Sequence, residues 1–315
     1  MPPSLCLALQ GGGAHGAFTW GVLDRLLEEP GFRIEGISGS SAGALNGAVL
    51  ASAFAEGGRQ RARAALRILW QRIAGTMAVN LLGTAPRMAD LVSGWLSPYQ
   101  FNPMDVNPLR GILSELVDVD RLRAPGSIRL FIAATNLHSG EARLFSNADL
   151  SIDALIASTS LPWLHQAVKL GDGHYWDGGF VANPPVLPLV QECQARDILL
   201  VRLNPSYHAT VPVTARDIRA RVGAIVFDSP LQRELEAIGW LSRAARKADG
   251  LHDAALTRLA QLRFHTIRDD DLLHSLDPST KLSAAWPVLE RLHEAGRVAA
   301  GDWLARQRSA NRRVA

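Results

Sequence analysis

The residues with the most evident chemistry are Gly39-Ser40-Ser41-Ala42-Gly43. A short apolar run, Ile34–Ser38, leads into them, and a stretch rich in Ala and Leu follows at once. Strand, tight turn carrying a serine, then helix is the layout of a nucleophile elbow. Gly39 and Gly43 allow a strained turn to lie close against a crossing element. The helix N-terminus behind Ser41, starting with the Ala42 N–H, favours the negative charge of a tetrahedral oxyanion. Ser41 is a candidate nucleophile for acyl transfer.

A second glycine run precedes it. Leu5–Gln10 reads as a buried parallel strand and ends in Gly11-Gly12-Gly13-Ala14-His15-Gly16. Gly11, Gly13 and Gly16 satisfy the dinucleotide fingerprint between strand and helix. That fold also wants an acidic residue at the end of the second strand, where this chain has Ser38-Gly39-Ser40-Ser41, with Glu35 near the strand's start. The preferred reading is an oxyanion loop built from the N–H groups of Gly11, Gly12 and Gly13. Strands one and two are expected to be neighbours, which sets this loop beside Ser41.

The base is harder to assign. The chain has nine histidines, and of those that follow the elbow none stands in a recognisable turn context. In α/β-hydrolases the serine follows a later strand, whereas here it follows the second. Asp177 has a better local setting, at the end of His174-Tyr175-Trp176 and before Gly178-Gly179. The glycines permit a sharp turn, and the aromatic residues exclude water and raise a carboxylate's proton affinity. On spacing alone, a turn aspartate is an equal reading, because Asp-Gly is a common turn dipeptide.

The elements that must position these groups read strand, helix, strand, helix over the first fifty residues, with the first helix at about Ala17–Glu28. That order favours a parallel sheet with helices on its faces. Glu56-Gly57-Gly58 marks a turn before an arginine-rich helix at Gln60–Ile73. The insertion Met77–Pro108 reads equally as a cap over an acyl-chain pocket and as ordinary core. Ile128–Leu137 is the strongest strand, forming a hairpin with Arg143–Phe145. Ile152–Ala157 reads as a short helix, and Ala167–Leu170 and Asp197–Leu203 as strands. Thr214–Lys247 is helical with an interruption near Pro230, Leu262–Ile267 is a last strand, and Ala284–Leu304 a last helix. No repeat or low-complexity linker divides the chain, so 1–315 reads as one domain. Its core spans 5–203, with a cap-like insertion at about 77–108 and a helical part at 214–305.

Composition sets outer limits. The 315 residues are 47% apolar, enough for a substantial core, and a net charge of +3 gives no argument for nucleic acid. Cys6 and Cys193 lie in apolar stretches and read as buried thiols rather than a disulfide. No signal peptide and no run of about 18–20 apolar residues is seen, so a soluble, cytoplasmic protein is expected. The basic end, Arg306–Arg313, reads as a solvated, frayed tail in preference to a membrane-surface contact.

Taken in order, Gly11-Gly12-Gly13-Ala14-His15-Gly16, Gly39-Ser40-Ser41-Ala42-Gly43 and Asp177-Gly178-Gly179 resemble the three signature motifs of the patatin-like phospholipase family. Asn183-Pro184-Pro185 adds to the likeness, which covers Leu5 to about Leu203. The resemblance implies a three-layer α/β/α sandwich with a mostly parallel central sheet. It implies Ser41 as nucleophile, Asp177 as base without a catalytic histidine, and Gly11, Gly12 and Gly13 as the oxyanion loop. One position departs: the family usually carries Arg or Lys where this chain has His15. A histidine of ordinary pKa, near 6.5, would replace that cation only at acid pH.

The activity implied is that of a serine lipid acyl hydrolase, of phospholipase A, lysophospholipase or carboxylesterase type, working through an acyl-enzyme without metal or cofactor. Glycerides, acyl thioesters and hydroxyalkanoate polymers are alternative substrates. A nicotinamide-binding oxidoreductase and a non-catalytic lipid-binding protein are the rival classes. The partners expected are a lipid ester and, peripherally, a membrane surface, with an oligomer left open.

Overall fold

The computed structural model describes residues 3–83, 96–205, 207–208, 210–247, 253–276, 280–281 and 284–314. The chain begins with β1 (Ser4–Leu9), α1 (Gly16–Leu27), β2 (Arg33–Gly39) and α2 (Ala42–Gly83). Short helices α3 (Pro98–Phe101), α4 (Pro108–Leu116) and α5 (Val119–Arg123) lead to β3 (Arg129–Asn136) and β4 (Ala142–Ser146). Next come α6 (Ile152–Thr159), β5 (Val168–Leu170), β6 (Gly173–Asp177), α7 (Leu187–Glu192) and β7 (Asp197–Val201). The C-terminal part holds α8 (Ala215–Lys247), α9 (Ala254–Ala260), β8 (Arg263–Ile267), α10 (Asp270–Ser275) and α11 (Trp286–Val314).

The strands form one sheet in the order β5-β6-β3-β2-β1-β7-β8, with β4 on β3. β1, β2, β3, β7 and β8 run parallel, while β4 and β6 are antiparallel to β3. Side chains alternate between two cores, as period-two strands require. Leu5, Leu7 and Leu9 enter the cluster under α1, α2 and α11, whereas Cys6 and Ala8 enter the one under α7 and α8. The sheet is therefore the middle of three layers, as expected. Cys6 and Cys193 are both buried and free.

The register of β3 positions the site. β2 pairs with Arg129–Ile132 of β3, and β6 takes the same edge at Ala134–Asn136 where β2 has ended. Asp177 is thereby set opposite Ala134, just past Gly39 at the end of β2. β1 is flanked by β2 and β7, so the chain reverses its direction of travel across the sheet at β1, and a crevice opens beyond the strand ends there.

The helices differ from expectation in three places. Gly57 and Gly58 kink α2, with Gly58 at φ +67°, so the predicted turn survives inside one long helical segment. α8 is not interrupted: Pro230 sits within it, held because Leu231 and Ile238 on either side of the next turns are anchored in the second core. α11 continues through the basic end to Val314, and Arg308 pairs with Glu29, just beyond α1, at 2.5 Å rather than fraying. Of the expected insertion, residues 84–95 lie outside the described residues.

α11 packs across α1 at two glycines. A Cβ on Gly21 would fall 1.9 Å from the His293 backbone oxygen, and one on Gly296 would fall 2.1 Å from that of Phe18. Asp24 of α1, beside this crossing, accepts Arg63 of α2 at 2.7 Å and also pairs with Arg297 of α11. Burial alone would raise its pKa, but His293, Arg63 and Arg297 hold it well below the usual carboxylate range. Gly21→Ala is expected to separate the helices and destabilise the protein by about 1–3 kcal/mol, the usual range for overpacking. An unchanged thermal unfolding curve would contradict this close crossing.

Candidate active site

Three backbone turns meet at the C-terminal ends of β1 and β2 and beside β6. The first is the glycine loop. Gly11 backs directly onto the elbow: a Cβ there would lie 2.7 Å from the Ser40 oxygen and 2.8 Å from Ser41 Cβ. Only glycine fits this approach. Gly13–His15 form a single 3-10 turn, and Gly16 starts α1. Asn46, buried on α2, ties loop to elbow by donating to the Gly16 and Ala42 carbonyls at 3.1 and 3.0 Å. Trp70 Nε1 holds the Asn46 oxygen at 3.1 Å.

The second turn carries Ser41. It is a non-glycine residue at φ +54°, a strained conformation that the surroundings must impose. The Ser41 N–H donates to the backbone oxygen and to Oγ of Ser158, each at 3.1 Å. Ser40 Oγ donates to the Ala182 oxygen at 2.5 Å. α2 starts at Ala42, so its N-terminus lies immediately behind the serine, and Gly39 and Gly43 flank the turn.

The third turn brings Asp177, which has no exposed surface. Its N–H donates to the Ser160 oxygen at 2.8 Å, and its carbonyl accepts Thr135 Oγ1 at 2.7 Å. Oδ1 accepts the Gly179 N–H at 2.7 Å, while Oδ2 is buried with no hydrogen bond of ordinary geometry. Burial pushes the carboxyl up to about 7, against the lowering pull of the Ser41 hydroxyl and the Gly179 amide. Oδ2 is therefore the carboxyl oxygen that no hydrogen bond among the described residues occupies. Gly178 packs against the Ala133 oxygen and Gly179 against the Phe227 ring. Trp163, Phe180 and Phe227 form a wall on this side, with centroids 5.8 and 4.7 Å apart.

The oxyanion expectation needs one correction. Gly11 cannot serve as a donor, because its N–H is committed to Asn183 Oδ1 at 2.6 Å. Among the described residues no acceptor takes the N–H of Gly12, Gly13 or Ala42. Asn183 also donates to the Phe227 oxygen at 3.0 Å and so links the loop to α8. Its place in Asn183-Pro184-Pro185 was visible in the sequence, but its partner was not. Asn46 was the other residue missed; a lone amide among Ala and Leu was the only signal.

His15 is corrected as well. It is 2% exposed, with Nε2 2.8 Å from Thr280 Oγ1. Burial and the nearby Lys281 charge push its pKa down to about 4, so it is neutral over the working range. Among the described residues no histidine shares a hydrogen bond with Ser41 or Asp177, and no three His, Cys, Asp or Glu side chains converge as a metal site. Glu35, the only acid in β2, accepts the Gln194 N–H at 2.6 Å from the far half of the strand, where it cannot hold a ribose.

The glycine loop and the serine turn thus follow adjacent parallel strands, and the buried acid ends a third strand of the same sheet. The sequence model of the patatin-like phospholipases matches residues 7–190, and the chain belongs to that family. Compared with curated protein sequences, it finds no match. Among solved structures it is similar to VipD from Legionella pneumophila, at 15% identity and a TM-score of 0.41, covering 96% of this chain and 67% of that one. It is also similar to the heterodimeric ExoU–SpcU complex from the type III secretion system of Pseudomonas aeruginosa, at 22% identity and a TM-score of 0.32, covering 82% of this chain and 57% of the other.

The buried acid has a measurable consequence for stability. The folded carboxyl titrates at about 7, whereas an unfolded aspartate titrates near about 3.9. The folded state thus holds the proton more tightly, and the stability this gives is present below about pH 4 and lost as pH rises to about 7. Asp177→Asn removes that loss. The variant is expected to exceed the wild type in stability by up to about 4 kcal/mol at pH 8, converging with it near pH 4, in urea unfolding. A gap of equal size at both pH values would show that the carboxyl is not buried in its neutral form.

Proposed function

We propose that the protein is a lipid acyl hydrolase that uses Ser41 as nucleophile and Asp177 as its base. The observation that carries this reading is the Asp177 carboxyl, wholly buried, raised to about 7 and with Oδ2 unpaired beside the Ser41 hydroxyl. A base that accepts a proton near neutrality works best with a pKa near the operating pH.

Asp177 takes the Ser41 Oγ proton as Oγ attacks the ester carbonyl. The carbonyl oxygen becomes an oxyanion held by the N–H groups of Gly12, Gly13 and Ala42 and by the N-terminus of α2. The intermediate collapses, the C–O bond to the alcohol breaks, and Asp177 returns the proton to the leaving oxygen. Water then attacks the acyl-enzyme, again giving its proton to Asp177, and the free acid leaves as Ser41 regains its hydrogen. Trp163, Phe180 and Phe227 offer apolar surface for the acyl chain.

The same side of the molecule suits contact with a lipid surface. Trp163 is 43% exposed, and the neighbouring segment at 97–106 presents Tyr99, Met104 and Val106. Tyr99 Oη accepts the Ala167 N–H at 3.2 Å, which fixes that segment against the loop after Trp163. Among the described residues no helix is long and apolar enough to cross a membrane, so the contact proposed is peripheral.

A fluorophosphonate probe is expected to label the wild type and not Ser41→Ala. Ester turnover should fall roughly 10²–10⁴-fold in Asp177→Asn, the usual contribution of a general base. In the wild type, kcat/KM should rise with pH through about 7, as the carboxylate forms. Retained turnover in Asp177→Asn, with the alkaline rise intact, would remove Asp177 from the mechanism.

A further inference from the structure

A polar cleft lies along α8. Arg221, Ala224, Ile225, Asp228, Gln232 and Arg233 recur at helical spacing on one face of α8 and look across a cavity of about 310 Å³ at Asn204 and His208. It sits in the crevice beyond the ends of β1 and β7, where the sheet reverses direction and where open α/β sheets commonly bind ligands.

The polar groups in this wall are donors in excess. Asp228 is already satisfied: its two oxygens accept Gln10, Arg202 and Gln232 at 2.9–3.1 Å. Lys281 Nζ donates to Asn204 Oδ1 at 2.7 Å, which turns the other end of that amide toward no protein acceptor. Asn204 is 3% exposed, and its Nδ2 is buried and unpartnered, as is Nε of Arg202 behind it. Among the described residues Arg221 and Arg233 make no ion pair, and Glu236, at the outer end, is the only lining carboxylate apart from Asp228. Burial, and then the charges of Arg221, His274 and Lys281, lower the pKa of His208 in the same lining. A buried, unsatisfied donor beside uncompensated cations is stabilised by an anion with several acceptor oxygens.

We propose that this cleft binds a phosphate mono- or diester group, with Asn204 Nδ2, Arg221 and Arg233 as its donors and Lys281 orienting Asn204. The site is joined to the glycine loop, since Gln10 Oε1 accepts the N–H groups of Leu203 and Asn204 at 2.7 and 3.1 Å. It does not require that Ser41 be a nucleophile.

The test is binding to Ser41→Ala protein, so that hydrolysis plays no part. Inorganic phosphate and glycerol 3-phosphate are titrated by calorimetry, and vesicles of phosphatidylglycerol or phosphatidylcholine by sedimentation. Saturable binding of the soluble phosphates is expected, weakened roughly tenfold or more in Arg221→Ala and in Arg233→Ala. With Ser41 restored, both variants should hydrolyse an uncharged ester as the wild type does. If glycerol 3-phosphate displaces phosphatidylglycerol vesicles, the phosphate is that of a lipid headgroup; if vesicles do not compete with it, the ligand is a soluble phosphate ester. Vesicle binding indifferent to soluble phosphate and to both substitutions would overturn the proposal, as would no binding of any probe.

Discussion

A carboxyl group without exposed surface and with one oxygen unpaired is costly to keep, and the structure around Asp177 is arranged to hold it nonetheless. Its backbone is pinned on both sides, to Ser160 and Thr135, and Gly179 holds only one of its two oxygens. The remaining oxygen is buried without a hydrogen bond of ordinary geometry, and the Ser41 hydroxyl is near enough to lower the carboxyl's proton affinity. Low dielectric raises the proton affinity of the acid. Ser41 is strained in turn, at positive φ, and is held there by Ser158 and by the helix that starts behind it. Acid and serine are thus each kept in a state that neither would adopt alone.

Residues far beyond the matched region 7–190 help to keep this arrangement. Gln10 bridges the end of β1 to Leu203, Asn204 and Asp228, and Asn183 reaches from the loop to Phe227 of α8. Thr280 and Lys281 close over the glycine loop, where a Cβ on Gly13 would lie 2.2 Å from the Lys281 oxygen. β8 extends the sheet, and α11 grips α1, the helix that the loop feeds. The C-terminal part is built into the support of the site, and its Lys281 charge stands near the buried His15.

Much of the site was readable from local sequence because its parts are local. Glycine runs, an elbow between a period-two run and a helical run, and an Asp-Gly-Gly turn are features of a few neighbouring residues, and backbone sterics give each of them one shape. The parallel core followed from the strand-helix order of the first fifty residues for the same reason. Misreadings arose where a distant partner decided the outcome. Pro230 reads as a break, yet burial of Leu231 and Ile238 carries α8 through it. The basic end reads as frayed, yet Glu29, just beyond α1, gives Arg308 an ion pair.

The sequence by itself determined which groups are present and in what order: a serine on a tight turn after the second strand, a glycine loop after the first, and an aspartate before two glycines. Only the tertiary structure decided what they do to one another. It set β6 on the edge of β3 at the point where β2 ends, so that residues 136 positions apart in the chain share one buried contact. It gave the Gly11 amide to Asn183 and left those of Gly12, Gly13 and Ala42 without acceptors among the described residues. Proton affinity and amide availability depend on burial and on partners brought together by long loops, and neither quantity is carried by a residue's own type.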